Sequence, residues 1–241
     1  MVLQIDPQLM IHISPEDIKL YDDVETLSSL VCERIGYSPD SVSEQIHSKV
    51  MEIIQKGLNA VGLEFLVRTT AIDGRCRGRI DAEAITIDSK KWSALLSKME
   101  SPDFLCCFML TLGKQIDIVY ENFTQKDLFD QFVLDAFGAV MVEKAADQME
   151  ASIGKQLRKN HYECSRRFSP GYCDWELKSG QETICRFLEP EKIGVRCMSS
   201  GTMIPVKSVS AAMVVARHVP WTVPCRFCRE IKCPYRREKN E

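Results

Sequence analysis

The chain has 241 residues, 45% hydrophobic and 27% charged, a globular composition sufficient for one large domain or two small ones. Its formal net charge of −3 removes whole-chain electrostatic support for non-specific nucleic-acid binding. No run reaches the ~18 apolar residues that span a bilayer, and MVLQIDPQLM lacks the basic start and apolar centre of a secretory signal. A cytoplasmic protein with no nucleic-acid or membrane partner is therefore expected.

In chain order, the first 36 or so residues hold a short extended start. A helix-start signal follows at Ser14-Pro15-Glu16-Asp17, with Ser14 as N-cap and Pro15 at the first helical position. After Ser38-Pro39-Asp40, Val42, Ile46, Val50, Ile53 and Ile54 recur at helical spacing, and the helix is expected to end near Gly57. Segments 63–70 (LEFLVRTT) and 84–88 (AITID) read as strands, and Asp73-Gly74-Arg75 between them is turn chemistry. Asp88 or Ser89 can cap a short helix through Leu96. The continuous apolar run 104–113, ended by Gly113, fits a buried strand.

Two helical stretches follow, the second spanning about 127 to 158. Phe132, Ala136, Ala139, Val140, Glu143, Ala146 and Asp147 lie along one side of it. Its small residues (Ala136, Gly138, Ala139, Ala145, Ala146) permit close approach, by a ligand or by a packed sheet. Segment 166–173 breaks regular structure with Pro-Gly, a short helix is expected near 179–188, and 208–219 reads as a strand. Strands and helices do not alternate in βαβ fashion, so the fold expected is α+β, a mostly antiparallel sheet with flanking helices. Three portions are expected to form one compact domain: an N-terminal portion 1–100, a central portion 101–220 and a basic, cysteine-containing tail 221–241.

The loop Arg167-Phe168-Ser169-Pro170-Gly171-Tyr172 holds the most specific chemistry. Pro170 fixes one φ, and Gly171 permits a positive φ or the close approach of a ligand. Arg167 offers a planar fork suited to a carboxylate, and Tyr172 a stacking face tipped with a hydroxyl. Such a loop suits an amino-acid-bearing, adenine-bearing ligand. A purely structural turn would use the same residues.

The longer string RRFSPGYCDWELKSGQETICRFL, followed by IGVRCMSSGTMIPVKSVSAAMVV, resembles the activation (reactivation) domain of cobalamin-dependent methionine synthase, most closely its stand-alone relatives. The family signature Arg-x-x-x-Gly-Tyr stands here as Arg167, Gly171 and Tyr172. The resemblance is strongest over about 130–217. It implies an α+β fold with a twisted antiparallel sheet, and S-adenosylmethionine as ligand with Arg167 on its methionine carboxylate. A helix acid before the motif is also implied. Glu143 is the best match, with Asp147 one turn along and Glu150 near. Lys207 is a further candidate for an anion. The chemistry implied is reductive methylation of an oxidised cobalamin held by a partner. One electron comes from a donor protein and the methyl from S-adenosylmethionine, and no acid, base or nucleophile is needed. No Ser-His-Asp set, Walker loop or Rossmann fingerprint is present, and His12, His47, His161 and His218 are given no role.

The chain departs from the family in lacking folate, homocysteine and cobalamin modules and a convincing early aspartate. Its function is thus expected to be a reactivation factor for a separate corrinoid protein or methyltransferase. A non-catalytic binding module and an iron–sulfur electron-transfer subunit are the other readings.

Eleven cysteines, an odd number, argue against a disulfide framework in a reducing compartment, and pairs such as Cys106-Cys107 read as small buried hydrophobes. Cys225, Cys228 and Cys233 form C-x₂-C-x₄-C-P, a spacing suited to an iron–sulfur cluster or zinc. Cys173, Cys185 or Cys197 is the candidate fourth ligand. A tail without metal is equally consistent with the pattern.

Overall fold

A computed structural model describes residues 11, 13–38, 42–76, 78–82, 85–96, 99, 102–123 and 128–219. The elements are α1 (Val24–Arg34), α2 (Glu44–Ala60), β1 (Glu64–Cys76), β2 (Arg79–Ala82), β3 (Ile85–Asp88), α3 (Lys90–Leu96), β4 (Pro102–Thr111), α4 (Lys114–Phe123), α5 (Leu128–Lys159), β5 (Glu163–Cys164), α6 (Leu177–Leu188), β6 (Arg196–Cys197), β7 (Met203–Ile204) and β8 (Ser208–Ala216). Six strands form one sheet in the order β3-β2-β1-β4-β8-β5, and β6-β7 is a separate hairpin. Every strand pairing among the described residues is antiparallel. The α+β expectation holds.

The placing of β4 explains why its sequence is apolar without a break from Phe104 to Leu110. On β4, Phe104, Cys106, Phe108 and Leu110 enter a core shared with α1, α2 and α5. The alternating Leu105, Cys107 and Met109 enter a second core with α3 and α6. A strand covered on both faces needs no polar alternation. Burial pushes the thiols of Cys106 and Cys107 well up, as expected of cysteines that serve as small hydrophobes. No helix among the described residues is long and apolar enough to cross a membrane.

Several local expectations are corrected. Ser14 starts only a 3-10 turn, Pro15–Asp17, and the first α-helix begins later, where the Asp23 side chain accepts the Thr26 N–H at 2.7 Å. Helix α2 runs past Gly57 because that glycine packs against α5: a Cβ there would lie 2.4 Å from the Phe137 ring. Asp73-Gly74 does not turn the chain. Strand β1 continues through it with a register shift between Ile72 and Gly74 against β2, the bulge that glycine permits. On α5, Ala136, Ala145 and Ala146 are buried against the sheet, and Gly138 makes room for the Lys207 stem. These four small residues thus serve packing, and Ala139 is half-buried.

Candidate functional site

Residues 163–168 run along β8 as an irregular edge strand. Glu163 and Cys164 pair with Ala216 and Val215, the Ser165 N–H donates to the Val214 carbonyl, and Phe168 exchanges two 2.8 Å hydrogen bonds with Ala212. The edge is too irregular for strict alternation: Arg166 and Arg167 both reach Glu150 of α5, and the next side chain turns to the opposite face. Arg167 faces α5, and Phe168 enters the core beneath α3 and α6.

On α5, Glu143, Asp147 and Glu150 follow an i, i+4, i+7 pattern and share one helix face. All three converge on Arg167. Its Nη2 donates to Glu143 at 2.8 Å, and its Nη1 to Asp147 at 2.5 Å and Glu150 at 3.1 Å. The Arg167 N–H also reaches Glu150 at 3.4 Å, and the Arg166 guanidinium meets the other Glu150 oxygen at 2.7 Å. The side chains of Arg167 and Glu150 are only 4% and 6% exposed, whereas Glu143 and Asp147 are 48% and 58% exposed. A buried ion pair thus forms the floor, with two acids at the rim. Burial opposes the Arg167 charge, but the hydrogen bond and field of Asp147, with Glu143 and Glu150 behind it, hold the guanidinium above its ordinary value.

The rest of the loop is a tight turn. Gly171 N–H donates to the Trp175 carbonyl at 2.9 Å, Tyr172 N–H to Ser169 at 3.2 Å and Trp175 N–H to Tyr172 at 3.1 Å. Pro170 is buried and Gly171 sits at φ +88°, in the left-handed region that favours glycine. Tyr172 is 47% exposed. The fold therefore brings Arg167 and Glu143 into direct contact and places Pro170, Gly171 and Tyr172 on the adjoining turn. Lys207 pairs with Asp135 at 2.6 Å. Cys225, Cys228 and Cys233 lie outside the described residues. Of the three candidate fourth ligands, Cys185 and Cys197 are bonded to each other, a pair that the odd cysteine count concealed and that offers a metal no thiolate, whereas Cys173 is exposed and outside the disulfide. Among the described residues, no group of three His, Cys, Asp or Glu has a metal-binding arrangement.

Two supports of the loop went unread in the sequence. Asp174 accepts the Ser89 hydroxyl at 2.6 Å and the Lys91 N–H at 3.1 Å, pinning the turn to the start of α3. Ser89 is itself the N-cap of α3, accepting the Trp92 N–H at 3.1 Å. The second support is a stack of three rings, Trp92, Phe168 and Trp175, with centroids 5.1 to 6.0 Å apart. The Asp174 carboxyl lies below its ordinary value: burial raises it, but the Ser89 and Lys91 hydrogen bonds to the charged form win. A lowered folded value means that the ionised group stabilises the fold above pH 3.8, and that this contribution is lost as pH falls through the folded value. Asp174→Ala is expected to cost about 1 kcal/mol at pH 7. In urea titrations the gap to wild type should close below pH 3.8; a gap independent of pH would show that the charge is not what matters.

The vitamin B12 dependent methionine synthase activation-domain family matches residues 95–220, just over half of the chain. No curated protein matches it. Among solved structures, a crystal structure of the MetH reactivation domain bound to AdoHcy is similar in fold. Its TM-score is 0.57 at 14% identity, covering 89% of this chain and 81% of that one. The matched stretch holds α5, the 166–173 loop and β8, and the chain belongs to the activation-domain family of vitamin B12 dependent methionine synthase.

Proposed function

We propose that this protein binds S-adenosylmethionine where α5 meets the 166–173 loop, and supports reductive methylation of an oxidised corrinoid on a separate methyltransferase or corrinoid protein. Family membership supports the reaction class, and the likeness to a reactivation domain solved with AdoHcy supports the ligand class. The observation that carries the reading is Arg167, first residue of the family signature, forked across three α5 carboxylates of which Glu143 and Asp147 open to solvent.

The charges suit the ligand. Three acids against Arg166 and Arg167 leave a local excess of negative charge. S-adenosylmethionine carries an ammonium and a sulfonium against one carboxylate. Glu143 and Asp147 are placed to take the ammonium, held in position by Arg167. Arg167 takes the ligand carboxylate by exchanging one of its present partners for it. Tyr172 supplies the stacking face and Gly171 the close backbone approach. The corrinoid, brought by the partner, is the methyl acceptor, and an electron-donor protein supplies the single electron. The task of this chain is to hold the sulfonium methyl in line, and such orientation supplies about 7–11 kcal/mol of a barrier.

Calorimetry with S-adenosylmethionine on the full chain should show binding, weakened about tenfold or more in Glu143→Gln. Anaerobic incubation with cobalt(II) corrinoid, reductant and methyl-labelled S-adenosylmethionine should then transfer label to the corrinoid. No binding at millimolar ligand would sink the reading. Binding without transfer would reduce it to a sensing module.

A further inference from the structure

Cys185, in the last turn of α6, is joined to Cys197 on β6, with Cα atoms 6.6 Å apart. Cys185 is nearly buried and Cys197 partly exposed. Both line a cleft of about 560 Å³ with Lys178, Glu182, Arg186 and Glu189, a volume in the range of small-molecule sites. Behind the sulfurs lies the buried Gln181. Its amide nitrogen donates to Cys185 Sγ at 3.3 Å and lies 3.9 Å from Cys197 Sγ. Its amide oxygen accepts the Ser210 hydroxyl of β8 at 2.9 Å. The pair is therefore reachable from solvent on one side and held by the core on the other.

The bridge also connects mechanically to the signature loop. It fastens the β6-β7 hairpin to α6, and the turn of that hairpin carries Gly201 at φ +89°. A Cβ on Gly201 would lie 3.1 Å from the Leu177 side chain and 3.3 Å from the Lys178 backbone. Leu177 is in turn what Gly171 packs against, at 3.3 Å from its ideal Cβ position. Close contacts thus run from the sulfurs through the hairpin turn and Leu177 to the Gly171-Tyr172 turn.

We propose that Cys185–Cys197 is a reversible redox site, opened and closed by exchange with a small-molecule thiol/disulfide couple admitted to this cleft, and that its oxidised form fixes the Gly171-Tyr172 turn. Closure begins at the accessible sulfur. The Cys197 thiolate attacks one sulfur of the small disulfide, forming a mixed disulfide and releasing one thiolate. The Cys185 thiolate then attacks Cys197 Sγ, forming the bridge and expelling the second thiolate. Two electrons pass to the small disulfide, and the two protons leaving the protein end on the two small thiols. Reduction is the reverse. The effect on S-adenosylmethionine binding rests on the function proposed above; the redox site does not.

The test equilibrates full-length protein in mixtures of reduced and oxidised glutathione, quenches with acid, alkylates and maps peptides. Peptides containing Cys185 and Cys197 should be linked at the oxidising end and both alkylated at the reducing end. Failure to link, or a link the couple never opens, overturns the proposal. Amide exchange over 169–176 and 198–204 should be about fivefold slower in the oxidised form. Cys197→Ser, with Cys185→Ala as the second variant should it misfold, should show no dependence on the couple. Equal exchange in both states of the wild type overturns the coupling. S-adenosylmethionine affinity should follow the same pattern, and affinity unmoved by redox state also counts against the coupling. An absence of binding in both states, with the exchange difference intact, sinks the assigned ligand and leaves the redox site standing.

Discussion

Arg167→Ala is expected to lower stability by about 3 kcal/mol and to abolish S-adenosylmethionine binding in the fraction that stays folded. Removing one partner of a buried ion pair costs about 3–5 kcal/mol because the other charge is left without compensation. The upper end should not be reached here. Glu143 and Asp147 are half-exposed and can be solvated once the fork is gone, and Glu150 keeps Arg166 at 2.7 Å. The loss therefore concentrates on Glu150, whose side chain is 6% exposed and whose second oxygen faces Arg167. A double variant, Arg167→Ala with Glu150→Gln, should recover part of the deficit, because a neutral amide tolerates the loss of the Arg167 fork and the half-exposed Arg166 can be solvated in place of its ion pair. Arg167→Lys should fall between, since an ammonium is a point charge that cannot fork to Glu143 on one nitrogen and Asp147 on the other. Urea unfolding with circular dichroism checks the stabilities, and calorimetry under conditions where each variant is folded checks the ligand. A single variant within 0.5 kcal/mol of wild type would mean that these ion pairs do not hold the loop to the helix.

That four-residue cluster also marks how far the sequence could be read. An acidic face at positions 143, 147 and 150 follows from helical periodicity alone, and Glu143 could be singled out only through the family pattern. Nothing local says that one guanidinium bridges all three acids, because Arg167 reaches them by tertiary packing, 17 to 24 residues later in the chain. The strands of the sheet centre were legible for a physical reason: β4 and β8 are covered on both faces, so their apolar runs are unbroken. Helix α1 was not, because its buried positions are Leu27, Ser28, Val31 and Cys32, and a serine and a cysteine dilute the periodicity that would reveal it. Asp73-Gly74 was misread because the same dipeptide serves a turn and a bulge, and only the β2 partner decides between them. The contact of Asp174 with Ser89, across 85 positions, leaves no mark in any window short enough to scan.

The ring stack belongs to this illegible class, and its removal should have an effect as large as that of Arg167. Trp92 is fully buried at the junction of α3 and the loop, stacked on Phe168 at 5.1 Å and Trp175 at 6.0 Å. Phe168 and Trp175 stand at either end of the Ser169–Asp174 turn and stack on each other at 5.5 Å, nearly parallel. Trp92→Ala therefore leaves a cavity beneath both anchors of the turn, with an expected loss of about 3–5 kcal/mol. Trp92→Phe should cost under about 1.5 kcal/mol. It keeps a ring in the stack, and it removes an indole N–H that is buried with no partner among the described residues. Trp92→Ala and Trp175→Ala should also couple, the double variant losing less than the sum of the singles by about 0.5–1.5 kcal/mol, as for rings in contact. Near-ultraviolet circular dichroism offers a readout separate from stability, since either single variant should remove the same signal of two indoles 6.0 Å apart. If Trp92→Ala lost stability yet bound S-adenosylmethionine as tightly as wild type, the stack would be core packing alone. Weakened binding in a variant that stays folded would show that the signature turn is positioned from the face of the sheet opposite the acids it serves.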